Sequence, residues 1–409
     1  MWQKNVRYLD YNAGSGLTNF VQKNLIDVLS QEDFFLANPS SRHRLGQRIQ
    51  QQIYLSSLKI ARSLGSSVIP DRLLFTSSGT EANQTVIRSA MSRLTQTQGG
   101  VILGAGEHSA THDLIPEIEL KSKWLRVLPL LPSGHYDLEQ LKIYLDDAAR
   151  VGIRSIFLSL FWANNETGVI TRLDELKKII LESPIPVQLH LDGAQVWGKI
   201  SIDVEATPAE WITFSAHKIG APAGTGVVWS RNEHTLEPLI IGTQNHGLRG
   251  GTENALGILA CGFAAESIDV ADFIAKTSVL QSGLESELKN SGISVKIWGQ
   301  DESRVSNTTR FSFLNFSTYE NWVELLDLAG FAVSHGSACK SKTIEPSRVL
   351  VEMGATKSEA LNAIRVSFGP TNTLEDVRGL VEAIRKICAR KTTVNLSGDF
   401  SGATPEATP

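Results

Sequence analysis

Between about residue 70 and residue 230, short apolar runs alternate with stretches whose apolar positions recur every three or four residues. The runs RLLFT, GVILGA, WLRVLPL, SIFLSLF, VQLHLD, WITFS and GVVWS predict strands. The intervening periodicity predicts helices over 80–93, in HDLIPEIELKSK, in DLEQLKIYLDDAAR and in RLDELKKIILES. Strands that are apolar on both faces and separated by helices predict a mostly parallel sheet covered on both sides. In such α/β sheets, ligands bind in the loops beyond the carboxyl ends of the strands.

After Gly251 the pattern changes. Helices are predicted over 254–267 and 272–290, followed by strands at VKIWG, TTRFSFL, FAVSH and AIRVSFG with further helices between them. This reads as a smaller α+β lobe closed by a helix over 374–390. The final stretch, NLSGDFSGATPEATP, lacks apolar periodicity and reads as a disordered tail. No internal repeat is evident.

Composition narrows the function classes. With 409 residues the chain can bury a substantial core in two lobes. A formal charge of -4 argues against a nucleic-acid or membrane-surface role, which needs clustered Lys and Arg. The apolar stretches are too short and interrupted to span a bilayer, and MWQKNVRYLDYNAGSG carries no apolar signal segment. Three widely spaced cysteines make neither a disulfide framework nor a zinc site, so no metal is expected and a cytoplasmic setting fits best.

Candidate chemistry sits at the strand ends. FSAHKIGAPAG places Lys218 just after an apolar strand, where burial lowers an amine's pKa as a Schiff-base lysine requires; a solvated loop lysine is the plainer alternative. LHLDGAQ presents Asp192 and then Gln195, a carboxylate for a pyridinium proton and an amide for a ring oxygen, although Asp also serves as a helix cap. FTSSGTEAN ends a strand and opens a helix at Gly79 and Thr80, whose backbone N–H groups suit a phosphate; a helix capped by Thr80 is the simpler reading. His108, in GAGEHSATHD, can stack on a flat cofactor or be plain surface. Together these are the parts of a pyridoxal phosphate site.

The chain resembles the cysteine desulfurases, the NifS/IscS-like members of the class V aminotransferase family of fold type I pyridoxal phosphate enzymes. The resemblance runs over roughly residues 7–390. It is carried in order by YLDYNAG, NPSSRHRLGQ, TSSGTEAN, EHSA, NNETGVI, HLDGAQ, SAHKIGAPAGTGVV, GLRGGTENALG, SHGSACKSKTIEPSRVL and IRVSFGPTNT. It implies a large domain (18–253) with a mostly parallel seven-stranded sheet between helices. A small α+β domain (1–17 and 254–392) and a disordered tail (393–409) complete it. By position, Lys218 becomes the lysine that binds the cofactor covalently, Asp192 the partner of the pyridine nitrogen and Gln195 that of the ring hydroxyl. His108 stacks on the ring and shuttles protons. Gly79, Thr80, Ser215 and His217 hold the phosphate, with Thr252 reaching the phosphate of the neighbouring subunit of a homodimer. Asn165, Arg365 and Asn38 bind the amino-acid substrate.

The same resemblance makes Cys339 the nucleophile that takes sulfur from L-cysteine, leaving L-alanine and a persulfide. A Ser/Gly-rich loop suits a thiol that must reach the cofactor and then an acceptor, either an iron–sulfur scaffold or a tRNA-thiolation protein. Lys340 and Lys342 favour the thiolate. Cys261 and Cys388 fall at helical spacing among apolar residues and read as packing. The chain departs from the family at Ala13-Gly14-Ser15-Gly16, where Ala-Thr-Thr-Pro is usual, at Asn245-His246 and at Lys340, Lys342 and Thr343. The alternatives are a related C–S or C–Se lyase acting on selenocysteine or cystine, and a non-catalytic interaction protein of the same fold.

Overall fold

The computed structural model describes residues 6–31, 37–233, 236–314, 316, 319–336 and 345–397, with Thr95 and 391–397 described by backbone alone. The short strand β1 (Arg7–Tyr8) is followed by seven strands that form one sheet: β2 (Leu73–Thr76), β3 (Gly100–Gly104), β4 (Leu125–Leu128), β5 (Ile156–Phe161), β6 (Val187–Asp192), β7 (Trp211–Ser215) and β8 (Gly226–Ser230). Their order is β2-β8-β7-β6-β5-β3-β4. The pairs from β4 through β7 are parallel, while β8 runs antiparallel to both β7 and β2. Every residue of β3, β5, β7 and β8 is buried, which explains why these segments read as continuous apolar runs. All seven predicted strands are present, and the sheet is mostly parallel as expected.

After β4 the chain crosses back over β3 to β5, so the strand order reverses between them. Loops at such a reversal diverge and leave a crevice beyond the strand ends. β2, β3, β5, β6 and β7 all end on that edge. Gly226, the first residue of β8, lies in the same layer, and a Cβ on it would come 2.3 Å from the Ser78 carbonyl oxygen. Only glycine lets the loop after β2 lie against the sheet there.

Two helices precede the sheet and were not among the predicted elements, Asn19–Leu29 and Arg44–Leu64. The second buries Ile49, Ile53, Ile60 and Leu64 and packs along Ala255–Glu266. Gly262 meets it closely, since a Cβ there would sit 2.7 Å from the Ser56 Cβ. HDLIPEIELKSK forms one short helix, Ile115–Lys121, which Pro116 starts afresh after His112 has ended the preceding helix Ser109–His112.

Beyond residue 290, β9 (Val295–Ile297), β10 (Thr308–Phe313) and β12 (Ala363–Ser367) form an antiparallel sheet of order β12-β10-β9. FAVSH contributes only β11 (Phe331–Ala332), which pairs in parallel with β1. Leu9 thereby joins a core of Leu284, Phe311, Trp322, Val366 and Leu380. The closing helix, Leu374–Ser397, runs past the expected end at 390 and into the stretch expected to be a tail from 393. Its sequence holds no proline, and the first glycine after Gly379 is Gly398. Residues from 398 onward lie outside the described residues. No helix among the described residues is long and apolar enough to cross a membrane.

Candidate active site

β2 ends at Thr76, and Ser78, in extended conformation, caps the helix Gly79–Thr97 by accepting a hydrogen bond from Glu81 N at 3.1 Å. The cap is therefore Ser78 and not Thr80. Glu81 folds back onto Ser77 N (2.8 Å) and pairs with Arg249 (2.9 Å). The first-turn N–H groups of a helix have no partner within it and carry the positive end of its dipole. This turn lies over the end of β7, where a Cβ on Gly79 would approach the Ser215 Cβ to 3.1 Å.

Asp192 closes β6. It accepts hydrogen bonds from Asn83 Nδ2 (2.8 Å) and Ala194 N (3.0 Å), both neutral donors. Asn83 is itself buried and accepts from the Thr213 hydroxyl. Asp192 thus braces a turn and caps no helix, leaving a nearly buried carboxylate. Three residues on, buried Gln195 donates from Nε2 to the Asn12 carbonyl at 3.1 Å.

Lys218 ends the 3-10 turn Ala216–Lys218 that follows β7. Its amine donates to the carbonyls of Asn12 and Ala13. Burial, then the positive charge of Arg365, lowers its pKa from 10.5 to about 8, against the pull of Asp10 and Asp192. His217 hydrogen-bonds Ser215 Oγ through Nδ1 at 2.9 Å, and burial followed by the Lys218 charge lowers its pKa to about 4, so the ring is neutral. His108 accepts from Ala110 N through Nδ1 at 3.1 Å, which assigns the proton of the neutral ring to Nε2.

These groups share one cavity of about 410 Å³, within the range of cofactor sites. Gly79, Thr80, His108, Asp192, Gln195, Ser215, His217, Lys218, Asn165 and Arg365, ten of the residues singled out from the sequence, all line it. The Arg365 guanidinium pairs with Asp10 at 2.5 Å and donates to the carbonyls of Asn165 (2.9 Å) and Gly336 (3.2 Å). Its Nε is buried without a hydrogen-bond partner among the described residues.

Two expected residues are not brought to the cavity. Thr252 is exposed and lines a separate cleft of about 220 Å³ with Ser77 and Arg249. Asn38 lies outside the cavity lining and orders its own turn, accepting from Ser40 N at 2.9 Å. Cys339 lies outside the described residues, although Gly336, the last described before it, is part of the cavity wall. Cys261 is fully buried, and burial pushes its thiol well up. Cys388 packs against the core that contains Leu9.

Sequence reading assigned no role to Asp10, Asn12, Asn83 or Lys199. Asn12 is the hub: its carbonyl takes Gln195 and Lys218, and its side-chain oxygen takes Lys199 Nζ (2.7 Å) and Asn307 Nδ2 (3.1 Å). The one available signal was their position inside YLDYNAG, TSSGTEAN and the stretch after HLDGAQ.

The sequence pattern of the class V aminotransferases matches residues 7–380. The cysteine desulfurase IscS of Dictyoglomus turgidum is 31% identical over 391 residues, covering 95% of this chain and 96% of the relative. The cysteine desulfurase NifS of Azotobacter vinelandii is 29% identical over 407 residues, covering 98% and 97%. Among solved structures, a NifS-like protein from Rickettsia africae is 30% identical, with a TM-score of 0.81 over 94% of this chain and 99% of that one.

Proposed function

The chain belongs to the class V aminotransferase family, and from that membership we propose that it is a cysteine desulfurase. It takes L-cysteine, releases L-alanine and leaves the sulfur as a persulfide on Cys339. The observation that carries this reading is the meeting of the Lys218 amine, the Asp192 carboxylate and the Gly79–Thr80 helix start in one cavity whose wall includes Gly336. Cys339 lies three positions beyond Gly336, at most about 11 Å of extended chain.

The residues present fit pyridoxal phosphate. Asp192 has only neutral donors among its hydrogen bonds and room for a cationic ring N–H. The helix start beside Ser215 offers backbone N–H groups to an anion, and neutral His217 adds a hydrogen-bonding group without charge. When bound, the cofactor supplies an electron sink joined to the substrate's Cα. Lys218, with a pKa near 8, offers a reactive neutral amine in useful amount at mildly alkaline pH. With the cofactor bound, Asp192 would keep the ring nitrogen protonated and Gln195 would donate to the ring oxygen. His108 presents Nε2–H and can carry a proton. Asn165 and Arg365 take the substrate carboxylate, Arg365 by exchanging Asp10 for it.

The sulfur step balances without an outside oxidant. The Cys339 thiolate bonds to the substrate sulfur, the carbon–sulfur bond breaks, and its electron pair with one proton goes to the carbon that becomes the alanine methyl. The persulfide then passes to an acceptor protein of the iron–sulfur scaffold or tRNA-thiolation type in the cytoplasm. A homodimer belongs to the same reading, with Thr252 exposed and available to a second copy. So does the division near residue 253 into two lobes, supported by the separate core that gathers Leu9 with Phe311 and Val366.

The test is mass spectrometry of the Cys339 peptide after incubation with L-cysteine, where one added sulfur atom is expected. Borohydride treatment of the cofactor-loaded protein should mark the Lys218 peptide alone. Pyruvate and ammonia in place of alanine would replace this reading with elimination chemistry.

A further inference from the structure

Lys199 has no part in the scheme above, yet it is buried to 3% exposure in the turn after β6. Its Nζ donates to Gln195 Oε1 at 2.6 Å and to Asn12 Oδ1 at 2.7 Å. A primary amide has nearly the same shape in either sense, so its partners decide which end faces where. Lys199 offers N–H groups to the oxygen side of Gln195 and so turns Nε2 the other way, toward the Asn12 carbonyl and the cavity. The amine faces the charges of Lys218 and Arg365, which oppose its protonation, and Asp10, which favours it. Asp269 and Asp272 share a second cavity of about 170 Å³ with it. Burial, the largest influence, lowers its pKa well below the usual range. Even the neutral amine carries two N–H bonds for these two oxygens.

We infer that Lys199 is a positioning residue that fixes the side-chain amide of Gln195 with its N–H toward the ring oxygen of bound pyridoxal phosphate. This rests on the proposed binding of that cofactor. Sequence reading gave Gln195 the donor role, but nothing in the amide itself secures it.

The experiment is a pH titration of the visible absorption of the cofactor-loaded protein, run beside thermal melts. Lys199→Met should raise the midpoint by about one pH unit, because the Gln195 amide is no longer held with its N–H toward the ring oxygen and that donor is lost. Gln195→Leu should raise it similarly. In the Gln195→Leu background, Lys199→Met should add markedly less than it does alone, which is the signature of action through Gln195. A wild-type midpoint in Lys199→Met, whatever its melting temperature, overturns the inference, as does full additivity with Gln195→Leu. Should Lys199→Met fail to fold, Lys199→Gln keeps a neutral donor: an unmoved midpoint supports positioning, and one as high as that of Gln195→Leu overturns it. Wild-type protein that binds no visible-absorbing cofactor overturns the functional reading and this inference with it.

Discussion

Replacing Asn83 by leucine tests how Asp192 is held. The two side chains share the same branching and number of heavy atoms, so the substitution alters hydrogen bonding more than shape. Asn83 donates to Asp192 Oδ2 at 2.8 Å and accepts from the Thr213 hydroxyl, and all three residues are buried. Leucine removes one partner of each bond; the Thr213 hydroxyl keeps His190 Nε2 at 3.2 Å, whereas the Asp192 oxygen is stranded at a cost of about 1–3 kcal/mol. The added apolar contact offsets a part, for a net loss of about 1–2 kcal/mol. At about 2.1 cal/mol/K of unfolding entropy per residue, a chain of this length has roughly 0.9 kcal/mol/K, so melting should fall by about 1–2 °C. Asp192 also keeps one hydrogen bond to its ionised form in place of two. A charged hydrogen bond is worth about 1.5–3 kcal/mol, so affinity for pyridoxal phosphate should fall by about 10- to 100-fold. Differential scanning calorimetry of the stripped protein and a visible-absorption titration with cofactor read the two effects separately. Unchanged cofactor affinity in a variant that melts lower would refute the reasoning, because Asn83 would then support the sheet and not the carboxylate.

Three further outcomes follow from named groups. Cofactor capture by stripped protein should rise about tenfold per pH unit below about 8 and level off above it, since Lys218 must be neutral to react; stopped-flow absorbance giving a flat profile contradicts this. Glu107 is fully buried, donated to by the Tyr136 hydroxyl at 2.6 Å, and burial raises its pKa to about 8. The folded state therefore holds a proton that the unfolded state releases between about pH 4.5 and 8, so this group's contribution is present at low pH and lost as pH rises toward 8. Glu107→Gln should flatten that decline, melting higher than wild type at pH 8.5 and close to it at pH 5, as thermal melts across pH will show. Cys339→Ser should keep the cofactor's visible absorbance while alanine formation from L-cysteine falls to background, and full alanine production by the variant would exclude the persulfide route.

The large sheet was legible because its central strands are buried on both faces, and continuous runs such as those of β5 and β7 have few other readings. The Arg44–Leu64 helix escaped although Ile49, Ile53, Ile60 and Leu64 keep helical spacing. Its run Gln50-Gln51-Gln52 and its buried serines, tolerated because Gly262 leaves room, dilute the apolar stripe. β11 shrank to two residues because its partner β1 is equally short. At the site, Lys218, Asp192 and Gly79 were legible as chemistry at strand ends, where local pattern and function coincide. Asp10 and Asn12 were not, since their partners lie far away in sequence: Asn12 and Lys218 stand 206 positions apart. Lys199 was not, because its bond to Gln195, four positions back, depends on a turn that carries no helical or strand period. Ser78 displaced Thr80 as helix cap because both residue types can cap, and only the chain's entry into the helix decides between them.

Asn12 also sets a timetable for synthesis. Its backbone N–H donates to Ser367 Oγ, 355 positions later, and its side-chain amide donates to Thr308, 296 positions later. At about 5–20 residues added per second, the ribosome delivers those partners tens of seconds after Asn12 itself. The nascent chain can assemble its seven-stranded sheet in that interval, but the carbonyl that receives Lys218 is not yet anchored. The Asn12 anchor beside Lys218 is therefore complete only in chains whose translation has passed residue 367.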